Sequence, residues 1–465
     1  WHRVPSRNWS SCFCKLYLIV YSGGIMPNIV NVVVTQQVAS APNTLQRTGA
    51  FVSQGGTTLA SGTTQLLTSL SSLTSIINPA INITAITWAT GTVTVTTSTP
   101  HGIPSGTTVP IVIAGATPTG YDGTFNGTAT GTNTVTYPLV TNPGADSVLG
   151  TFQLGASVEL QAMANTFFAQ GSNLGVYVLE LGANTVANGV TALQTYITAN
   201  VGQPSTSATP QFYSYLIPKE WDANSSAIAM YRTYQGTTAQ QYFYVSTTLA
   251  NYNLYAGIKS VFAVLPSPYA PSTEFSTSAF FWATLSYNPS SVNLASPLEY
   301  TYIYSVTPYT ALTLTQQSQV LLAGANFVFT GAQGQISNTL IEGGNYMDAN
   351  PFNYWYSIDW LSINVATSLA GAIINGSNIP TNPLYYNQAG INTLQKVAQA
   401  TVNNGISFGL ILSPATVNAV SFATYVAQNP SDYAVGIYKG LSCTFVPLRG
   451  FSSITIYLTA SNIPV

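Results

Sequence analysis

Charged residues are nearly missing from this chain. Of its 465 residues, Lys, Arg, Asp and Glu make up 5%, where an average soluble protein carries about 25%. A disordered chain stays open through charge and low apolar content, so 46% apolar residues exclude one. No apolar run approaches the ~18 residues of a membrane-crossing helix, which excludes insertion as a helical membrane protein. The ten Lys and Arg residues are scattered and leave no basic footprint for nucleic acid. Thr, Ser, Asn, Gln, Gly and 29 Tyr fill the gap. Net charge normally keeps soluble proteins apart; a surface this neutral suits a protein that packs against many copies of itself. The length suffices for two or three domains of ~100–200 residues.

The first 25 residues differ from the rest. They hold Arg3, Arg7, Lys15, His2, Cys12 and Cys14, and no acid. A secretory signal places ~7–15 apolar residues after the basic stretch, then a small-residue cleavage site. Residues 16–21 supply only six, and no such site follows. Ser22-Gly23-Gly24-Ile25-Met26 can instead be encoded by AGC-GGA-GGA-ATT-ATG, a GGAGG ribosome-binding sequence just ahead of a start codon. The expectation is that Met26 begins the native protein and that 1–25 is a translated leader. Seven basic residues then face twelve acids, a net charge of about −5, and Cys443 and His101 are the last of their kinds. That leaves no disulfide framework and no Cys/His zinc site within the chain. The lone cysteine reads as a small apolar core residue.

Residues 27–38 are β-branched and extended until Ala39-Ser40-Ala41-Pro42 breaks the pattern, an N-terminal arm strand within 26–42. Residues 58–77 have no clear period. Over 85–150 charge all but vanishes. Short alternating strands around Ile86 and Trp88, Val93 and Val95, then Val135, Tyr137 and Leu139 are divided by turn signals at Pro100-His101-Gly102, Ser105-Gly106 and Tyr121-Asp122-Gly123. This predicts an inserted small all-β domain of about five strands. Past 151 the period becomes helical: Leu160, Met163, Ala164, Phe167 and Phe168 share a face, as do Val186, Val190, Leu193 and Ile197. Apolar stretches at 176–181, 212–217, 242–245 and 261–265 lie between helices. Strands alternating with helices predict an α/β core, a mainly parallel sheet with flanking helices, over 43–84 and 151–339.

An α+β C-terminal domain is expected over 340–450. It has a long amphipathic helix at 355–374, a loop at 379–383 and a second helix that carries Ile391, Leu394, Val397, Ala398 and Val402 and ends before Gly405. Residues 431–465 read as strands. The last, Ile454-Thr455-Ile456-Tyr457-Leu458, alternates strictly and makes 451–465 a C-terminal arm. Exposed strand edges need another chain to cover them, and strand addition between subunits does so.

Catalytic signatures are scarce. A serine hydrolase needs a base beside its nucleophile, yet His101, the one histidine past the leader, sits in a turn of the β insert and no Gly-x-Ser-x-Gly occurs. The glycine-rich nucleotide-binding motifs are also missing. A glycosidase needs only two carboxylates. Glu180 closes a strand, where α/β folds place ligands; Glu342 and Asp348 flank a glycine-rich turn; Asp359 lies among Trp355, Tyr356 and Trp360. The ordinary reading of Asp359 is a residue facing solvent or paired locally, its aromatic neighbours in the core. Asn-x-Ser/Thr triplets such as Asn82-Ile83-Thr84 arise by chance in so Asn- and Thr-rich a chain and carry no weight.

The order of parts resembles a known family. Met26-Pro27-Asn28-Ile29-Val30-Asn31-Val32-Val33-Val34 resembles the opening of contractile tail sheath proteins of myovirus-type phages. So does the C-terminal half: Tyr354-Trp355-Tyr356-Ser357-Ile358-Asp359-Trp360, then Ile379-Pro380, Pro383-Leu384-Tyr385-Tyr386-Asn387 and Ala389-Gly390-Ile391, leading to Asn404-Gly405-Ile406. The insert resembles a module found in phage virion proteins, in Pro100-His101-Gly102 and Tyr121-Asp122-Gly123-Thr124-Phe125, and is a departure from the sheath pattern.

The resemblance implies a non-enzymatic structural subunit without cofactor or metal. It would polymerise with itself as stacked rings or a helix around a tail tube protein, beside baseplate and tail terminator proteins. Contraction would drive the tube through the host envelope during genome ejection. The protein would reside in the virion tail, and in host cytoplasm during assembly. Carried over residue by residue, the inter-subunit arm contacts are Ile29, Val30, Val32 and Val34 at one end and Ile454, Ile456 and Leu458 at the other. Pairing of both segments within their own subunit is the alternative for the arms. The rival functions are a receptor- or glycan-binding virion or surface protein, suggested by the Tyr-rich and Thr/Gly-rich β sequence, and a carbohydrate-degrading enzyme.

Overall fold

The computed structural model describes residues 44–171, 174–204, 206–236, 240–267, 273–289, 297–331, 338–378 and 383–450. The leader, both arms and residues 379–382 lie outside them. Strands β1 (Gly49–Ser53) and β2 (Thr64–Leu67) lead through the short helix α1 (Leu70–Thr74) to six strands: β3 (Ile81–Ala89), β4 (Thr92–Thr97), β5 (Thr108–Ala114), β6 (Gly123–Ala129), β7 (Thr134–Pro138) and β8 (Thr151–Leu154). These close into an antiparallel barrel in the order β3-β4-β7-β6-β5-β8. Period-2 alternation is the cause. Val93, Val95, Ile111, Ile113, Val135 and Tyr137 fill the interior, while the threonines between them face outward. The barrel begins at 81 and ends at 154, wider than the expected 85–150, because Ile81 and Asn82 of β3 pair with Phe152 and Thr151 of β8 to complete it.

From β8 the chain runs directly into α2 (Gly155–Ala169). It then alternates through β9 (Val176–Glu180), α3 (Val186–Ala199), β10 (Ser214–Leu216), α4 (Ser225–Thr233), β11 (Tyr242–Ser246), β12 (Val261–Leu265), α5 (Ser276–Leu285), α6 (Leu314–Leu322), β13 (Asn326–Thr330) and β14 (Thr339–Glu342). With β1 and β2 these strands form an eight-stranded mixed sheet, ordered β14-β13-β12-β11-β10-β1-β9-β2. Its six inner strands are parallel; the outer two are antiparallel to their neighbours.

Alternate residues of the inner strands feed two cores. Phe51, Val178, Tyr244 and Phe262 join α2 and α5 on one face, while Ala50, Val52, Leu179 and Phe243 join α3, α4 and α6 on the other. Burial on both faces explains the near-continuous apolar strands. From β1 the sheet grows to β9 on one side and to β10 through β13 on the other. The switch point between β1 and β10 is where open α/β sheets leave a crevice beyond the strands' carboxyl ends.

The remainder comprises α7 (Phe352–Asn378), α8 (Gln388–Ser407), β15 (Thr416–Ala419), α9 (Phe422–Gln428), α10 (Pro430–Ala434) and β16 (Leu441–Thr444). By length and composition α7 could cross a membrane, but Tyr356, Trp360 and Leu361 in its first half join the core beneath the sheet. Two expectations are corrected here. Helix α8 does not end before Gly405, which is buried inside it. The stop comes at Gly409, at φ +67°, the left-handed residue that ends many helices. Nor are residues 431–450 all strand: Pro430 opens a short helix, proline at its first turn, and only Leu441–Thr444 is a named strand.

The sheet's central contact is Phe51, fully buried on β1 with its ring 5.4 Å from Phe167 of α2 and 6.1 Å from Phe281 of α5. Phe51→Ala should cost about 3–5 kcal/mol of unfolding free energy in urea denaturation. Val140→Ala, at a side chain 91% exposed, should cost under ~0.5 kcal/mol.

Candidate functional site

In a chain so poor in charge, the buried carboxylates mark where the fold concentrates its electrostatics. Glu180 is 1% exposed at the carboxyl end of β9. Its Oε2 accepts from Ser53 Oγ (2.9 Å), Thr57 Oγ1 (2.7 Å) and Thr57 N (3.1 Å), and its Oε1 from Gly55 N (2.6 Å) and Gly182 N (2.7 Å). Burial raises this carboxyl above the usual range, and the donors pull it back. Gly55 is required: its φ is +90°, and a Cβ would stand 2.6 Å from that of Ala183. Glu180 therefore clamps the 53–57 turn onto β9.

Asp359 overturns the expectation that it faces solvent or pairs locally. It is 4% exposed, and its Oδ2 accepts from Tyr213 Oη (2.8 Å), just ahead of β10, and from Tyr242 Oη (2.7 Å) on β11. It ties α7 to the sheet. Burial pushes its carboxyl up to about 6, against the two hydroxyls and the Lys259 charge, which pull it down. Tyr356 and Trp360 are core residues as expected, whereas Trp355 is partly buried, with Lys259 Nζ 4.1 Å over its ring.

Glu342 and Asp348 do not act as a pair. Asp348 accepts from Asn350 and from Trp355 Nε1 (2.8 Å). Burial, then the nearby Glu299 charge, push Glu342 to about 7. His101 is a structural turn residue inside the barrel: its Nδ1 accepts from Ile103 N and its Nε2 donates to Gly131 O at 2.9 Å. Cys443 is half-buried on β16 rather than a full core residue. Among the described residues, no group of three or more His, Cys, Asp or Glu is placed to hold a metal ion.

A carboxylate pair does exist, one that sequence reasoning missed. A crevice of about 370 Å³ opens at the β1/β10 switch point, with Thr108, Pro110 and Asn126 of the barrel on one side and Ser53, Gln54 and Pro218 of the sheet's end on the other. Glu159 of α2 and Glu220, in the turn after β10, both line it. Glu159 sits within an apolar helical pattern and Glu220 in a polar turn, so neither carries a local signal.

Two further features bear on assembly. β15 and β16 form a two-stranded antiparallel sheet, Thr416 opposite Thr444 through Ala419 opposite Leu441. The outer edge of β15 is covered by α8, Val417 N donating to Gln399 Oε1 and Val417 O accepting from Gln395 Nε2, each at 2.8 Å, while no named strand among the described residues lies on the outer edge of β16. Beside it, Tyr354, Leu412, Val446 and Leu448 line an apolar groove, with Leu412 and Val446 exposed. The arm residues Ile29, Val30, Val32, Val34, Ile454, Ile456 and Leu458 all lie outside the described residues.

No family model and no curated protein matches the sequence. Among solved structures, the fold is similar to a chain of the anti-feeding prophage baseplate in its contracted state, with a TM-score of 0.50 at 12% identity, covering 95% of this chain and 100% of that one. It also aligns with the sheath tail protein Lin1278 from Listeria innocua (TM-score 0.42, 11% identity, covering 82% of this chain and 90% of that one). The sheath tail protein DSY3957 from Desulfitobacterium hafniense gives a TM-score of 0.38 at 12% identity, over 90% of this chain and 100% of that one. The structural neighbours are thus tail sheath proteins and a component of a contractile baseplate. At these identities the likeness is one of fold, and the baseplate chain carries it.

The Asp359 carboxyl stands above the ordinary aspartate value, so the stability it confers is fully present below that value and is lost as pH rises through about 6. Measured by denaturant unfolding, wild type should lose about 2–3 kcal/mol relative to Asp359→Asn between pH 3.5 and pH 7. A difference that stays constant with pH would contradict this assignment.

Proposed function

We propose that this chain is the structural subunit of a contractile tail sheath. It polymerises with itself around a tail tube, between baseplate and terminator proteins, and contracts to drive the tube through the host envelope. The observation that carries this reading is the fold likeness to a contracted-baseplate chain over 95% of the sequence. It agrees with the resemblance of residues 26–34 and 354–406 to sheath proteins.

The reading also assigns a receptor for the arms. The outer edge of β16 lies seven residues before the C-terminal arm begins, and an uncovered edge invites strand addition, whereas the outward backbone of Val417 on β15 is already bonded to Gln399 and Gln395 of α8. In this reading Ile454, Ile456 and Leu458 of one copy lay a strand along the β16 edge, and Ile29, Val30, Val32 and Val34 of another pair onto the strand so added. Alternate side chains then seat in the apolar groove at Leu412 and Val446. Links of this kind are held by backbone hydrogen bonds, so they survive while subunit bodies repack between two arrangements. Assembly places the protein in host cytoplasm first and in the virion tail afterwards.

Negative-stain electron microscopy tests the reading directly. Protein begun at Met26 should form tubes or stacked rings, and a version ending at Gly450 should remain monomeric. Monomers or compact trimers from both, at high concentration, would refute self-assembly and turn attention to glycan binding.

A further inference from the structure

The backbone fixes how much of the outer edge of β16 is open. Where this strand and its continuation pair with the β15 side, the even-numbered residues bond inward. Gly440 O accepts from Val420 N at 3.0 Å, Val446 O accepts from Leu412 N at 2.8 Å, and Leu448 N donates to Leu410 O at 3.0 Å. Cys443 lies opposite Val417, whose own N–H and C=O turn away from it to Gln399 and Gln395. A pair of that kind leaves the backbone of both residues facing outward. Leu441, Cys443 and Phe445 therefore present their N–H and C=O groups on the outer edge. Pro447, next in the series, has no N–H to give. The open edge is a ladder of three rungs, closed by a proline.

The two faces of that edge differ. Leu441, Cys443 and Phe445 are partly buried against the core beneath the sheet, and Phe445 also lines the apolar groove. Ser442 and Thr444, between them, are exposed. A strand laid here needs apolar side chains on one face and polar ones on the other, since directly opposed residues share a face. Ile454, Ile456 and Leu458, with Thr455 and Tyr457 between them, have that alternation at the same spacing of two. The N-terminal arm does not: Ile29, Val30, Val32, Val33 and Val34 make it apolar on both faces.

The subunit's own chain is led away from this edge. Asn353 Nδ2 donates to Leu448 O at 2.8 Å. Arg449 donates to Asn350 Oδ1 at 3.1 Å, with its guanidinium 5.1 Å over the Tyr354 ring. Gly450 lies so close to Pro297 that no Cβ would fit. The favoured two-residue hairpin turns, which would send the chain straight back along β16, need positive φ, and neither Arg449 nor Gly450 has it. We infer that residues 448–450 are an exit clamp that commits the C-terminal arm to a neighbouring copy, where it docks in one register, with Ile454, Ile456 and Leu458 on the three rungs. Ile456 then stands opposite Cys443 whether the added strand runs parallel or antiparallel. Neighbouring copies are supplied by the sheath reading, on which this register rests.

Disulfide trapping in the full chain carrying Cys12→Ser and Cys14→Ser tests both parts, because Cys443 is then its one cysteine. Opposed residues of paired strands have Cα atoms about 4.5–5.5 Å apart, within reach of a disulfide. A chain with native Cys443 is co-expressed with one carrying Cys443→Ser and Ile456→Cys, and the product is oxidised. The expected result is a covalent pair of the two chains, joined at Cys443 and the introduced thiol by mass spectrometry. Tyr457→Cys in place of Ile456→Cys, on the opposite face, should give no pair. Equal trapping by both would overturn the register. In a single chain holding Cys443 together with Ile456→Cys, docking between copies gives covalent multimers, whereas monomers that have lost both thiols would overturn the exit clamp. Should Cys443→Ser fail to fold, this single chain, compared with its Tyr457→Cys counterpart, decides alone. Tubes without any trapped product would overturn the docking and leave the sheath reading standing; the absence of both would remove the two together.

Discussion

The structure depends on a parallel sheet that must be covered on both faces. Six parallel strands offer apolar side chains alternately up and down, and neither face can be left to water. Phe51 and Ala50, adjacent on β1, enter opposite cores. The rest of the fold follows from that demand. Helices α3, α4 and α6 close one side; α2 and α5 close the other, together with the first half of α7, which brings the C-terminal elements onto the body. Antiparallel β2 and β14 end the sheet at its two edges. The barrel needs no share in this, because it closes on itself and has its own core. An insertion between α1 and α2 can therefore be accommodated without disturbing the sheet.

The second constraint is the shortage of charge. Where other proteins fasten elements with ion pairs, only two salt bridges occur among the described residues. The joints are instead made by buried carboxylates with neutral donors. Glu180 fixes a turn to β9 through five hydrogen bonds, Asp359 fixes α7 to the sheet through two tyrosines, and Glu159 of α2 holds the turn after β10 through Lys219 N. A charged acceptor roughly doubles the strength of a hydrogen bond, so a few acids can position large elements. The exterior is left neutral, which favours contact between copies over repulsion.

What was legible in the sequence follows from the range of the interactions. The strands at 176–181, 242–245 and 261–265 and the helices bearing Leu160 and Val190 were readable because their patterns are local and regular. The barrel was readable from period 2 and its turn residues, though its ends were misplaced, since closure depends on β3 meeting β8 some 70 residues away. Gly405 was misread because a glycine inside a helix and one that ends it look alike in sequence, and the left-handed stop falls at Gly409 instead. Asp359 was misplaced because its partners Tyr213 and Tyr242 lie 146 and 117 residues away in the chain. The Glu159–Glu220 pair was invisible for the same reason: only the strand order brings it together. The resemblance to sheath proteins, by contrast, lay in the ordered motifs at the two ends of the chain, and the fold likeness to the contracted-baseplate chain supports it.

The central claim is that copies of this chain join by adding strands to the sheet of β15 and β16. A helical reconstruction of its self-assembled tubes by cryo-electron microscopy tests this most directly. The account predicts a four-stranded sheet at every Thr416–Ala419 and Leu441–Thr444 pair, with residues 451–465 of a neighbouring copy along β16 and residues 27–38 of another beyond them. Tubes in which the β16 edge is bare, or in which both segments fold back onto their own subunit, would contradict it.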